Sequence, residues 1–181
     1  VYLVSLARRQ TMMERIFLQM SGSLYVAVTA LLLCVGAKRL PDKFLGRFKL
    51  EKSINLDEYL AARGYRWLTR RLIMLASVTK IIKKAASGLP LRYDMDTLTW
   101  KKNVFYRDFV LGREFDSEEL EDGLFKVKID LKNGTDIMTE NIVRIDDPDD
   151  DETFEYSREG DYLVMSTNWK GVHAEGYYKK I

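Results

Sequence analysis

FLGRFKLEKSINLDEYLAARGYRWLTRR, residues 44–71, is the stretch on which the fold turns. Phe44, Gly46, Phe48 and Leu50 recur at every second residue, with Arg47 and Lys49 between the last three, the period of a strand. Asn55 then stands where a helix cap belongs, ahead of Asp57, Glu58, Tyr59 and Leu60. Both acids fall in the first turn, where the helix dipole favours negative charge. Gly64 suits the break that follows. A second helix is predicted from Trp67 to about Leu75, because Leu68, Leu72 and Leu75 recur at helical spacing with Arg66, Arg70 and Arg71 on the flank.

Downstream, from about residue 79, the period changes to two. Phe125, Val127, Ile129 and Leu131 alternate with Lys126, Lys128 and Asp130, as a half-buried strand requires. Asn133-Gly134 follows, a two-residue hairpin signal, and Ile137 to Arg144 reads as the return strand. Asp146 to Asp151 forms an acidic turn. Three further strands are predicted at residues 152–159, 162–169 and 172–180. Short strands at regular spacing, joined by turns, define an antiparallel barrel or sandwich.

Upstream, residues 24–37 (LYVAVTALLLCVGA) carry no charge but are shorter than the roughly 20 apolar residues of a membrane span. With Arg15 before them and Val35-Gly36-Ala37 at the end, they read as a secretory signal, with an N-terminal anchor as the alternative. Residues 1–37 are therefore expected to be removed, leaving a mature start at Lys38 and one domain over residues 38–181. Cys34, the only cysteine, would leave with the signal. Of 29 basic and 27 acidic residues, Arg8, Arg9, Arg15 and Glu14 lie in that segment, so 26 of each remain. A balanced charge gives no support to polyanion binding, and nucleic acid is not expected as a partner.

Several motifs are collinear with a known family. Phe44, Gly46, Phe48 and Leu50 are followed by Asn55-Leu56-Asp57-Glu58-Tyr59-Leu60 and Thr69-Arg70-Arg71. Farther on come Leu111-Gly112-Arg113-Glu114-Phe115-Asp116, Arg158-Glu159-Gly160-Asp161-Tyr162-Leu163 and the closing run from Trp169-Lys170-Gly171-Val172 to Tyr177-Tyr178. Together they resemble the fatty-acid-binding protein family of intracellular lipid-binding proteins, within the calycins, over nearly all of residues 41–181. The signal segment, the long stretch 76–92 and the insertion at 146–152 resemble its secreted nematode branch. The resemblance implies an all-β fold: a ten-stranded antiparallel clam-shell barrel, capped by a short helix-turn-helix and enclosing a lipid cavity. It implies a monomeric, secreted carrier of long-chain fatty acids or similar lipids. An interaction scaffold with an occluded interior is the alternative reading.

In that family a fatty acid's carboxylate is met by two arginines and a tyrosine of the last strands. The tyrosine position is Tyr178. The arginine positions are Gly176 and Tyr156, so both charged anchors are replaced. A sixteen-carbon tail supplies roughly 10 kcal/mol at about 0.8 kcal/mol per methylene, against about 1.5–3 kcal/mol for a hydrogen bond to a charged group. The tail is thus expected to dominate affinity, and a relaxed headgroup requirement is expected, so that acid and alcohol bind alike. By alternation and resemblance Leu163, Met165, Thr167 and Trp169 face the cavity with Phe154, Tyr156, Ala174, Gly176 and Tyr178; the plain alternative is barrel core. The resemblance also places Trp67, Arg70, Arg71 and Trp100 at a portal. Arg66, Arg70, Arg71, Lys80, Lys83 and Lys84 are read as clustered around the helical cap, either as a solvated face or as a surface for transient contact with anionic membranes.

Other chemistry finds little support. His173 is the only histidine, too few for a His-based metal site, and its parity places it on the outer face. The acidic turn lacks the spacing of a calcium loop. No nucleophile elbow or phosphate loop occurs, and Glu118-Glu119 reads as a polar turn without an acid/base partner. No cofactor and no enzymatic activity are expected. Asn133-Gly134-Thr135 is a glycosylation sequon, although turn chemistry alone accounts for the Asn-Gly pair.

Overall fold

The computed structural model describes residues 38–181, so the signal segment expected over residues 1–37 lies outside the described residues. Ten strands make an antiparallel meander. They are β1 (Gly46–Ile54), β2 (Thr79–Lys84), β3 (Tyr93–Leu98), β4 (Val104–Phe109) and β5 (Glu114–Glu118). Then come β6 (Leu124–Leu131), β7 (Met138–Arg144), β8 (Asp151–Glu159), β9 (Tyr162–Trp169) and β10 (Val172–Lys180). Helices α1 (Leu56–Ala62) and α2 (Trp67–Met74) stand between β1 and β2, where the opening stretch predicts them. Because β10 pairs with β1, the strand order is β4-β3-β2-β1-β10-β9-β8-β7-β6-β5, and the sheet rolls into a nearly closed barrel.

Period-two sequence becomes an inside and an outside. On β6, Phe125, Val127 and Ile129 are buried while Leu124 and Lys126 are exposed. The inner faces merge into one core that includes Phe48, Ile82, Met95, Val127, Ile129, Met138, Tyr156 and Leu163. One end is plugged by a 3-10 turn, Asp42–Phe44. Leu40 and Phe44 are completely buried there. The Leu40 amide donates to the Tyr93 hydroxyl at 3.0 Å, which satisfies a buried backbone group.

At the other end α1 lays Tyr59 and Leu60 against Ala174, Trp169 and Val172. Arg63, just past α1, donates to Asp150 at 2.7 Å and lies 4.3 Å over the Trp169 ring. Arg144 of β7 reaches the same Asp150 at 3.0 Å and Glu121 at 2.8 Å. Burial acts against ionisation of Asp150, but the hydrogen bonds from Arg144 and Arg63 prevail and hold its carboxyl below the usual range. The acidic turn is therefore fastened to the helical end at Asp150.

β4 and β5 terminate the strand order and share no ladder among the described residues. Side chains bridge this seam. Tyr106 meets Phe115 edge-on at 5.2 Å, and Phe109 stacks on Phe115 at 5.9 Å. The Tyr106 hydroxyl donates to Glu119 Oε1 at 2.6 Å.

Two local expectations are corrected. Asn55 precedes α1 in the left-handed region (φ 54°) and makes no side-chain cap; its amide donates to the His173 carbonyl at 3.3 Å instead. The β6–β7 connection is longer than a two-residue hairpin. Lys132 still donates to the Ile137 carbonyl at 2.9 Å, leaving residues 133–136 in the loop, and only Gly134 among them has positive φ.

If aromatic contacts close the seam, Phe115→Ala will cost more than a half-buried side chain on an ordinary edge. A loss of about 2–3 kcal/mol is expected in urea unfolding. A loss under about 1 kcal/mol would show that the seam is closed by other means.

Candidate ligand site in the barrel interior

The register across β8, β9 and β10 sets the inner wall. Tyr156 pairs with Met165, which pairs with Gly176, giving one row across three strands. Phe154, Thr167 and Ala174 form the next row toward the helices, and Leu163 and Tyr178 the next toward the plugged end. Alternation in the sequence thus brings Phe154, Tyr156, Leu163, Met165, Thr167, Gly176 and Tyr178 onto a single surface. Trp169 lies at the rim, against Arg63 and the α1 contacts.

Gly176 is bare because its neighbour occupies the space. A Cβ there would stand 3.1 Å from the Tyr178 ring and 3.4 Å from Leu50 Cδ1. The tyrosine two residues on lies back across the glycine, since both share one face of β10. The Tyr178 hydroxyl has only a weak acceptor, Met165 Sδ at 3.8 Å.

Facing this wall is a polar cluster that the sequence reading misses. Tyr156 donates its hydroxyl to Glu140 Oε2, on β7. Lys80 of β2 lies 3.7 Å from that same oxygen, 3.3 Å from Thr97 Oγ1 and 5.3 Å from the centre of the Tyr156 ring. Only 8% of the Lys80 side chain and 3% of the Glu140 side chain are exposed. Lys80 is therefore an interior residue and not part of a basic surface around the helices. Lys83 remains on the outside, where it pairs with Asp96 at 3.4 Å.

Electrostatics follow from enclosure. Burial and the Glu140 charge push the Tyr156 and Tyr178 hydroxyls well above their ordinary range, so both stay protonated donors. Burial also raises Glu119 to about 7, against the opposing hydrogen bond from Tyr106; nearby Glu140 adds to the rise and Lys80 moderates it. Burial likewise holds Glu152 near 7. Arg63 stands 3.5 Å from it but makes its shorter contact with Asp150. Glu119 is thus partnered by Tyr106 and not a free turn residue.

The residues expected at a portal lie on α2 (Trp67, Arg70 and Arg71) and in the β3–β4 turn (Trp100). Trp67 is 62% and Trp100 68% exposed. Arg70 pairs with Asp57 at 2.9 Å, and Arg71 faces solvent. In an antiparallel meander alternate turns share an end, which puts the β3–β4 turn bearing Trp100 on the helical side with the β9–β10 turn. His173 is exposed, as parity predicts, with Nε2 3.2 Å from Glu175 Oε1. Asn133 is exposed in the β6–β7 loop.

An up-and-down barrel with a helix-turn-helix between its first two strands falls in the class of small antiparallel barrels that can enclose a ligand. The chain is 55% identical over 146 residues to a fatty acid-binding protein homolog of Ascaris suum, covering 81% of this chain and 89% of the relative. It is 37% identical over 145 residues to fatty acid-binding protein homolog 3 of Caenorhabditis elegans, with 80% and 86% covered. Among solved structures, As-p18, an extracellular fatty acid binding protein, superposes with a TM-score of 0.77 at 54% identity, covering 80% of this chain and 100% of that one. No protein-family model matches the sequence. The chain belongs to the fatty-acid-binding protein family.

Glu119 offers a test of the interior electrostatics. Its folded carboxyl holds a proton more tightly than the unfolded chain does, so its contribution is complete below about pH 4.5 and is lost as pH rises through about 7. Glu119→Gln removes that loss. The variant is expected to gain about 2 kcal/mol on the wild type between pH 5 and pH 8 in denaturant titrations. A difference that does not change with pH would mean that Glu119 stays hydrated in the folded protein.

Proposed function

We propose that this protein is a secreted carrier that encloses one long-chain fatty acid in the barrel and exchanges it at the helical end, without covalent chemistry. The observation that carries the reading is the polar cluster of Lys80, Glu140, Tyr156 and Tyr178 inside a wall otherwise built from Phe154, Leu163 and Met165. An apolar interior needs no buried ammonium to be stable, whereas an amphiphile has both a chain and a headgroup to satisfy. The relatives' names supply the ligand class, and the extracellular description of As-p18 supports secretion.

Exchange at the helical end accords with the surface there. α2 exposes Trp67, Leu68 and Leu72, and Leu75 follows it at 84% exposure. Arg66 and Arg71 are also exposed. Apolar and basic groups side by side suit brief contact with an anionic membrane, each basic residue near such a surface contributing about 1 kcal/mol. Trp100, by its turn, belongs to the same end. The four residues Trp67, Arg70, Arg71 and Trp100 are assigned here to the portal.

Native mass spectrometry of the purified protein, followed by lipid extraction, tests the carrier. One long-chain fatty acid per chain is expected, together with saturable displacement of a fluorescent fatty acid by oleate. A protein that carries no lipid and takes up none when it is added would be a scaffold with a filled interior.

A further inference from the structure

Lys80 is the feature that the fold alone leaves unexplained. Its ammonium carries three N–H donors. Thr97 takes one at 3.3 Å, while Glu140, at 3.7 Å, stands beyond ordinary hydrogen-bond reach. Glu140 Oε2 already accepts from Tyr156, so its hydrogen bonding does not depend on the lysine. Two donors of a buried cation are left without a close protein acceptor among the described residues. Nearby, the Tyr178 hydroxyl faces only a thioether sulfur. Lys80 and Tyr178 thus have spare donors, and a carboxylate is the group that accepts from an ammonium and a phenol together.

Resting on the carrier reading above, we propose that Lys80 is the headgroup residue of the site. It receives the ligand's carboxylate from β2, opposite the wall where Gly176 and Tyr156 hold the arginine positions, with Tyr178 as the second donor. Glu140 is the resident counter-charge, 3.7 Å from the ammonium. The loose 3.7 Å pairing is what lets the ligand take over the ammonium without first breaking a tight ion pair. The titratable groups around the headgroup are then Lys80 from β2, Tyr106 from β4, Glu119 beyond β5, Glu140 from β7, Tyr156 from β8 and Tyr178 from β10. Arg158, an inward cation on β8, is the competing donor: its Nη2 donates to the Gly160 carbonyl at 2.9 Å and its guanidinium lies 4.9 Å over the Phe48 ring, while its Nη1 is buried with no hydrogen-bond partner among the described residues. With Lys80 inside, selection for the acid replaces the indifference between acid and alcohol expected from the missing arginines.

The test compares oleic acid with oleyl alcohol by displacement of a fluorescent probe. Removing Lys80 alone would strand the Glu140 charge and endanger folding. The informative variant is therefore the double substitution Lys80→Met with Glu140→Gln, which takes out the charges as a pair. Circular dichroism and thermal melting confirm that it folds. The acid-to-alcohol affinity ratio is expected to exceed one in the wild type and to fall at least about tenfold in the double variant, the equivalent of one charge-assisted hydrogen bond. Lys80→Arg, which keeps the charge, is expected to retain most of the ratio, and Arg158→Met to leave it near the wild-type value. A ratio unchanged in the folded double variant, or one that collapses in Arg158→Met instead, overturns the assignment. So does a wild type that binds acid and alcohol equally. Binding of neither ligand by the wild type would overturn the carrier reading itself, a result distinct from the others.

Discussion

Enclosing the Lys80 ammonium in a barrel removes it from water at a cost of several kcal/mol, and much of the interior is arranged around that cost. Glu140 supplies the opposite charge, Thr97 a hydrogen bond and Tyr156 a ring face. Thr97 comes from the neighbouring β3, but Glu140 and Tyr156 come from β7 and β8, which are far from β2 in the sheet order and meet it only across the barrel interior. Closure of the barrel is what brings them together. An open sheet of the same strands would leave Lys80 beside β1 and β3 alone, without its carboxylate.

The seam between β4 and β5 belongs to the same arrangement. With no ladder there, backbone hydrogen bonds cannot hold the two edges, and the work passes to Phe109, Phe115, Tyr106 and Glu119. Tyr106 and Glu119 also lie within electrostatic range of Glu140. Side-chain contacts of this kind open more readily than a run of ladder bonds, because each can break without its neighbours. The weakest line of the barrel therefore adjoins its most polar interior region, and a change of charge on one is felt by the other.

How much of this was legible in the sequence depended on whether a local pattern had one solution. The strands at 162–169 and 172–180 were read correctly because their inward faces carry apolar or small residues and their outward faces carry Asn168, His173 and Glu175. α1 was legible for the same reason, since it buries Tyr59 and Leu60, whereas the leucine spacing that marks α2 belongs to an exposed face. β2 was not: in Thr79-Lys80-Ile81-Ile82-Lys83-Lys84 each face carries one isoleucine and at least one lysine, so alternation cannot say which face is inside. Only the pairings of Lys80 with Phe48 on β1 and with Thr97 on β3 settle it. Glu119 was misread because its partner, Tyr106, comes from another strand across the seam, a contact with no local signature. Asn133-Gly134 was misread because hairpin length is set by where the ladder ends, here at Lys132 and Ile137, and not by the turn residues alone.

The positions that the resemblance gives to two arginines, Gly176 and Tyr156, lie where a second cation is hard to place. A guanidinium at position 176 has no room while the Tyr178 ring lies across the glycine. A second cation at position 156 would stand beside Lys80, since the Tyr156 ring centre is only 5.3 Å from that ammonium. Two unscreened positive charges at such a separation repel strongly in a low-dielectric interior. Tyrosine at 156 removes the conflict and adds a neutral donor that fixes Glu140 in place. On the proposal above, the cation that meets the headgroup comes from β2, opposite the phenols of Tyr156 and Tyr178. What changes is the direction from which an anionic headgroup would be held, and with it the path of any chain attached to that headgroup.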